Sequence, residues 1–192
     1  MKRVLGILII VAVIAISLFM VVSSPKNKLT KGAVKPELVL NQIKVMKEQE
    51  GDGDELYLTL SARVAGESTE YMRIPAKPGH WLSQQIDLVK NVSLWSEPLA
   101  EGQSVTVKIE LNEGDAAPLN AEDLLGIMRV QLKNEKGSLT VHWDITNRTG
   151  IDAPKKRAGL VAETLSQESG KVQKFDMDND GAHYEVYLSV KQ

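Results

Sequence analysis

The stretch Ser104–Leu132, SVTVKIELNEGDAAPLNAEDLLGIMRVQL, decides the fold that the sequence predicts. Its first part alternates apolar with polar residues, and a period of two sends one set of side chains to a core and the other to solvent. The apolar residues of the two parts are Val105, Val107, Ile109 and Leu111, then Met128, Val130 and Leu132. Between them lie the acids Glu113, Asp115, Glu122 and Asp123, with Gly114, Pro118 and Gly126 as turn residues. We therefore predict a strand, an acidic loop and a second strand.

Short runs with the same alternation recur on both sides of this unit. Their predicted ranges are 38–45 with a bulge near Asn41, 55–64, 69–74, 85–95, 139–145, and a last hairpin formed by 172–175 and 184–190. Residues 157–167 fit a short helix or an irregular strand. About eight short strands, separated by turns and without a helix long enough for a crossover, predict an all-β fold, an antiparallel sandwich.

The N-terminus carries an apolar segment ahead of the predicted sandwich. Val4–Val22 contains 19 residues without a charge, close to the roughly 20 that span a bilayer core. A cleaved signal peptide is the competing interpretation, but Pro25 follows the only small-residue site at Ser23-Ser24 and disfavours cleavage. We expect an uncleaved transmembrane helix in 1–23, a linker in 24–36 and the β-domain in 37–192.

The orientation of the anchor does not follow from charge alone. Lys2 and Arg3 lie before it, and four lysines lie after it, Lys26, Lys28, Lys31 and Lys35, so the positive-inside rule is undecided. A short N-terminal tail with a long C-terminal domain is typical of a signal-anchor. We predict a single-pass protein of a bacterial inner membrane with a periplasmic domain. The linker lysines either contact anionic headgroups of the bilayer or simply keep the linker soluble.

Composition and motifs exclude several classes of function. The chain has a net charge of -2 and 5% aromatic residues, which argues against a nucleic-acid partner. It has no cysteine, hence no disulfide and no thiolate metal site. The sequence contains no nucleophile elbow, phosphate loop, dinucleotide fingerprint or His-Glu-x-x-His motif, and His80, His142 and His183 are far apart. We therefore do not expect an enzyme.

Residues 95–132 resemble the calcium-loop region of the C2 domain family. The likeness lies in Glu113-x-Asp115 at the end of a strand, in Asp123-Leu124-Leu125-Gly126 at the start of the next, and in the upstream turn Trp95-Ser96-Glu97-Pro98. The resemblance implies an eight-stranded sandwich whose end loops bind calcium, phospholipid or protein partners. It also implies that Glu113, Asp115 and Asp123 face a metal. Here Glu113 replaces an aspartate of the family pattern and the loop is longer.

A second group of acids lies near the C-terminus. Asp176-x-Asp178-x-Asp180-Gly181 resembles the opening of a calcium-binding loop, but its twelfth position is Tyr187 and not the glutamate that such a loop requires. The alternative is a tight hairpin with solvated acids. Calcium is therefore a candidate cofactor, with six candidate ligands: Glu113, Asp115, Asp123, Asp176, Asp178 and Asp180.

Together these features predict a membrane-anchored, extracytoplasmic binding or scaffolding module of a bacterial envelope assembly, with a protein partner. The alternative prediction is a calcium-dependent lipid- or protein-binding C2-like domain.

Overall fold

The computed structural model describes residues 31–114, 123–147, 156–165, 171–179 and 181–192, and only the backbone of 144–147 and 156–165. The predicted anchor, most of the predicted linker, Asp115 and Asp180 lie outside these ranges. Within them, no helix is long and apolar enough to cross a membrane.

The described residues form an all-β fold of two antiparallel sheets. They contain eleven strands, where the sequence predicts about eight: β1 Glu37–Lys47, β2 Glu55–Val64, β3 Thr69–Ile74, β4 Trp81–Leu82, β5 Lys90–Trp95, β6 Ser104–Glu113, β7 Asp123–Glu135, β8 Ser138–Asn147, β9 Lys156–Leu165, β10 Gln173–Asn179 and β11 Ala182–Lys191. The strand order is β10-β11-β1-β5 in the small sheet and β3-β2-β6-β7-β8-β9 in the large sheet, where β4 also pairs with β2.

The predicted central unit is confirmed as the pair β6 and β7. Val107 lies opposite Val130 and Ile109 opposite Met128, and all four side chains are buried. The next connection, between β7 and β8, is a tight hairpin, because Lys136 and Gly137 both have positive φ, as a two-residue turn between twisted strands requires.

The predicted bulge in the first strand is also confirmed. The register of β1 against β11 shifts between Leu40 and Gln42, so Asn41 is the extra residue. The shift keeps Leu40 and Ile43 on the same buried face although they are three residues apart.

The two sheets pack through β10, which lies against β7 and β8. The ring centroids of Trp143 and Phe175 are 5.6 Å apart across this interface. Gly126 lies under Met177, and a Cβ at this position would clash with the Met177 sulfur. The glycine therefore permits the close approach of the sheets.

Three predictions made for other segments need correction or completion. Residues Ser83–Leu88 form a 3₁₀ helix instead of the first half of a strand, and it buries Ile86 while Leu88 is exposed. Residues 156–165 form a strand, which resolves the alternative left open above. The last hairpin has a much shorter loop than predicted, because β10 continues to Asn179 and alternates buried Phe175 and Met177 with exposed Asp176 and Asp178.

The strands give the sandwich two ends, and the chain enters at one of them. The side chain of Asn134 donates to the carbonyl oxygens of Gly32 at 2.8 Å and Leu99 at 2.9 Å, and Val34 forms a β-bridge with Leu99. We call this the tether end, defined by Gly32, Leu99 and Asn134. Since Val34 is buried, the folded part includes the last residues of the predicted linker.

The opposite end is where β6 ends and β7 begins. There the side chain of Asn179, at the end of β10, donates to the Leu124 carbonyl oxygen at 2.8 Å and joins the two sheets. We call this the acidic end, defined by Glu113, Asp123 and Asn179, for the carboxylates described below.

Candidate functional site at the acidic end

Two of the predicted metal ligands lie side by side where β6 ends and β7 begins. Glu113 and Asp123 are register partners on neighbouring strands. Glu113 is 2% exposed, and its carboxylate accepts a hydrogen bond from the Glu55 backbone N–H at 3.4 Å. Asp123 is less buried and accepts from the side-chain amide of Gln49 at 3.3 Å. The structure thus brings these two acids together, while Asp115 of the same predicted group lies outside the described residues.

The acids of the last hairpin lie on a different surface. Asp176 and Asp178 are on the outer face of β10, and a carboxylate oxygen of Asp176 is 3.3 Å from Lys174 Nζ and 3.5 Å from His183 Nε2. Asp178 is the register partner of His183. Strand geometry therefore places the two aspartates side by side on an outer sheet face instead of around a loop, and Asp180 lies outside the described residues.

A fully buried carboxylate that the sequence did not single out holds the acidic end together. Asp54 accepts hydrogen bonds from the backbone N–H groups of Gln49 at 3.0 Å and Glu50 at 2.9 Å, and from the hydroxyl of Tyr184. Ser83 extends the network, since its hydroxyl donates to Glu48 at 2.6 Å and accepts from the Asp54 N–H at 2.9 Å.

In the sequence, the residue that could have indicated this network is Tyr184, and not one of the acids. Tyr184 falls on the core face of a strongly alternating strand, and a buried tyrosine hydroxyl normally has a hydrogen-bond partner. Asp54 itself stands in the acidic turn 49–54, where nothing in the sequence separates it from its solvated neighbours.

Negative charge surrounds the Tyr184 hydroxyl. Burial raises the pKa of Tyr184 above its ordinary value, and the hydrogen bond and charge of Asp54 raise it further, with smaller effects from Glu48 and Glu113. The hydroxyl therefore stays protonated at physiological pH and remains a donor to Asp54. Asp54 and Glu113 are buried, so the carboxylates of this group that reach solvent are the partly exposed Glu48 and Asp123, whose charge suits this end to attracting a cation or a basic surface.

The metal-ligating side chains of the described residues are dispersed. Among them, no three or more His, Asp or Glu side chains are placed to hold a metal ion. The histidines lie on separate parts of the fold: His80 Nδ1 is 3.3 Å from a Glu55 carboxylate oxygen, His142 is on β8 and His183 is on β11.

Comparison with known proteins adds little. No family model matches the chain, and no curated protein matches it. Among solved structures, the chain is similar to human GIVD cytosolic phospholipase A2, with 7% sequence identity and a TM-score of 0.33. The match covers 82% of this chain and 32% of the phospholipase chain, so the chain spans about a third of that protein's length. Likeness at this TM-score assigns neither family nor function.

Proposed function

We propose that this protein is a membrane-tethered binding module: a C2-like sandwich held at the bilayer by the N-terminal helix, which presents its acidic end to a protein partner on the extracytoplasmic side. The observation that carries the proposal is the position of the tether. Asn134 holds Gly32 at the end of the sandwich opposite to Glu113 and Asp123.

Simple lengths show what this position implies. Gly32 is ten positions after Val22, the last residue of the predicted anchor, and an extended chain over ten positions reaches about 35 Å. Strand β7 runs for 13 residues between the two ends, which corresponds to about 40 Å at roughly 3.3 Å per residue. If the sandwich stands upright, its tether end faces the anchoring bilayer. The acidic end then lies about 40 Å farther out and faces away from that bilayer.

The charge of the acidic end indicates the chemistry of the partner. In addition to the partly exposed Glu48 and Asp123, the turn between β1 and β2 exposes Glu50 and Asp52 to solvent. Like charges on one surface accelerate association with an oppositely charged surface and disfavour partners of the same sign. We expect the partner to present lysine or arginine side chains to this end.

Site-specific photo-cross-linking in cells that produce the full chain tests this proposal. A cross-linker at exposed Asp52, on the acidic end, should give a defined protein adduct. The matched control at exposed Lys136, in the β7–β8 turn of the tether end, should not give that adduct. An adduct formed only from Lys136 would contradict the proposal, and a C-terminal reporter fusion active only in the cytoplasm would contradict the extracytoplasmic placement.

Calcium-dependent binding to lipid or protein is the second candidate function. It is favoured by the pairing of Glu113 with Asp123 at the two ends of the loop that contains Asp115. Calcium takes six to eight oxygen ligands, and a divalent ion here would offset the repulsion between the carboxylates. In a lipid-binding version, the acidic end would have to reach a bilayer, and the tether at the opposite end makes the anchoring bilayer the less accessible one.

A further inference from the structure

A cleft crosses the outer face of the large sheet, on strands β2, β3 and β6. Its floor is formed by the small side chains of Thr59 and Ser61 on the middle strand, β2. Larger side chains on the flanking strands form its walls, because the register aligns Tyr71, Ser61 and Lys108 in one row and Arg73, Thr59 and Glu110 in the next. The cleft has a volume of about 350 Å³, at the lower end of the range for small-molecule sites.

Arg73 closes one end of the cleft by holding a loop in place. Its guanidinium carbon lies 3.9 Å from the ring centroid of Tyr57, and its Nη1 donates to the carbonyl oxygens of Pro75 at 2.6 Å and of Gly79. These contacts fix the loop 75–79, which brings Lys77 to the lining of the cleft. They also cover Tyr57, which is buried although it lies on the outer face of β2.

Hydrogen bonds fix a second lysine over the floor. Lys108 Nζ lies 2.6 Å from one carboxylate oxygen of Glu110, and the other oxygen accepts from the Thr59 hydroxyl at 2.8 Å. The Thr59 oxygen in turn accepts from the Asn112 amide at 3.1 Å. The negative charge of Glu110 is thereby offset, and the carboxylate orients the Lys108 side chain.

The cleft is electropositive on a protein that is negative overall. Arg73, Lys77 and Lys108 line it against the single carboxylate of Glu110, whereas the whole chain has a net charge of -2. Among the described residues, Lys77 has no ion-pair partner. This charge selects an anionic ligand.

The Tyr71 side of the cleft indicates the chemistry of the uncharged part of the ligand. Tyr71 lines the open cleft and is 80% exposed, so its ring is accessible to a ligand. An apolar ligand in such an open site would leave most of its surface in water, whereas a polar ring with C–H groups on one face can stack on the tyrosine and keep its hydroxyls hydrated. The Ser61 side chain adds a hydroxyl group at the floor, whereas the Thr59 hydroxyl is already bonded to Glu110 and Asn112.

We propose that this cleft binds an acidic sugar of monosaccharide size. The ring stacks on Tyr71, and the anionic group, a carboxylate or a phosphate, lies between Lys77 and Lys108. The proposal does not depend on the acidic end or on the membrane tether.

Titration calorimetry on the full chain in nanodiscs tests this site with four probes: glucuronate, glucose 6-phosphate, glucose and inorganic phosphate. At least one of the two acidic sugars should bind with millimolar affinity or tighter, and comparison of the two identifies the preferred anionic group. Glucose and inorganic phosphate should each bind at least tenfold more weakly, since one lacks the charge and the other lacks the ring.

Variants place the binding in the cleft. Lys77→Gln and Lys108→Gln should each weaken the preferred sugar about tenfold, and Tyr71→Ala should weaken it about fivefold. The control Lys90→Gln, at an exposed lysine of the small sheet, should leave the affinity unchanged. The proposal is overturned if neither acidic sugar binds at 10 mM, if inorganic phosphate binds as tightly as the sugars, if the cleft variants bind like the wild type, or if only an acidic peptide such as oligoglutamate binds.

Discussion

The side-chain amide of Asn134 donates to the carbonyl oxygen of Gly32 at 2.8 Å, joining residues that are 102 positions apart in the chain. The same buried side chain also donates to the Leu99 carbonyl oxygen and accepts from the Gly137 N–H at 2.9 Å. One residue therefore fixes both the point of chain entry and the β7–β8 turn. This contact determines which end of the sandwich lies next to the predicted anchor.

Replacement of Asn134 by alanine should loosen the entry point. Three hydrogen bonds at a buried position are lost, so the free energy of unfolding should fall by about 2–4 kcal/mol. That corresponds to a fall of roughly 5–10 °C in the thermal midpoint, measurable by circular dichroism. Lys35→Ala, at an exposed neighbour of the same β-bridge, should change stability by less than about 0.5 kcal/mol. Equal midpoints for the wild type and Asn134→Ala would show that the contact does not hold the entry point.

Removal of the Asp54 carboxylate should be more damaging than removal of any exposed acid of the same turn. In Asp54→Ala, the N–H groups of Gln49 and Glu50 and the hydroxyl of Tyr184 lose their acceptor inside the protein. We expect a loss of about 3 kcal/mol or more in urea denaturation. Asp52→Ala, two residues away and exposed, is the control and should lose less than about 0.5 kcal/mol. Similar losses for the two variants would mean that the network adds nothing to stability.

The pKa of Tyr184 gives the acidic end a specific dependence on alkaline pH. Burial and Asp54 raise the pKa of the folded form, whereas the unfolded form keeps an ordinary value of about 10. Above pH 10 the unfolded state therefore loses this proton first. The stabilisation from Tyr184 is complete below about pH 10 and declines by about 1.4 kcal/mol per pH unit above it.

Comparison of wild type with Tyr184→Phe isolates this effect. At pH 7 the variant should be less stable by about 1–2 kcal/mol, because a hydrogen bond to a buried carboxylate is lost. The difference should shrink as the pH rises above 10. A difference that stays constant up to pH 11.5 in urea denaturation curves would show that the hydroxyl is not protected as the structure indicates.

Calcium binding at the β6–β7 loop predicts a change in thermal stability. If the folded state alone binds the ion, fragment 32–192 should gain about 2.7 kcal/mol of stability at a calcium concentration a hundred times the dissociation constant. The gain should be absent with magnesium and with the combined substitution Asp115→Asn and Asp123→Asn. No difference between calcium and excess chelator would remove this candidate and leave a metal-free binding surface.

Much of the fold could be predicted because apolar alternation is a direct consequence of strand geometry. The bounds of β2 and β3, the β6–β7 pair and the Asn41 bulge all follow from the positions of buried residues along the chain. The helix Ser83–Leu88 was missed because Ile86 and Leu88 are spaced like strand residues, and only tertiary packing shows that Leu88 points to solvent. Asp176 and Asp178 were assigned to a loop because charged residues close to a glycine are typical of turns. In the structure they are the exposed residues of a strand that continues to Asn179.

The candidate site was less accessible to sequence reasoning. Glu113 and Asp123 could be paired because they close one hairpin, but their link to the 49–54 turn passes through Gln49, which no local pattern marks. The Asp54–Tyr184 contact joins residues 130 positions apart. Long-range polar contacts of this kind depend on how the two sheets are stacked, and the periodicity of single strands does not contain that information.

The direction of the sandwich can be measured directly because the chain has no cysteine, so a single introduced cysteine is the only labelling site. Full-length chains labelled at Asp52→Cys or at Lys136→Cys would be reconstituted in liposomes that carry an energy acceptor on their headgroups. We predict strong energy transfer from position 136 at the tether end and weak transfer from position 52, roughly 40 Å farther from the bilayer if the sandwich stands upright. Equal transfer from both positions, or stronger transfer from position 52, would contradict a module that presents its acidic end away from its own membrane.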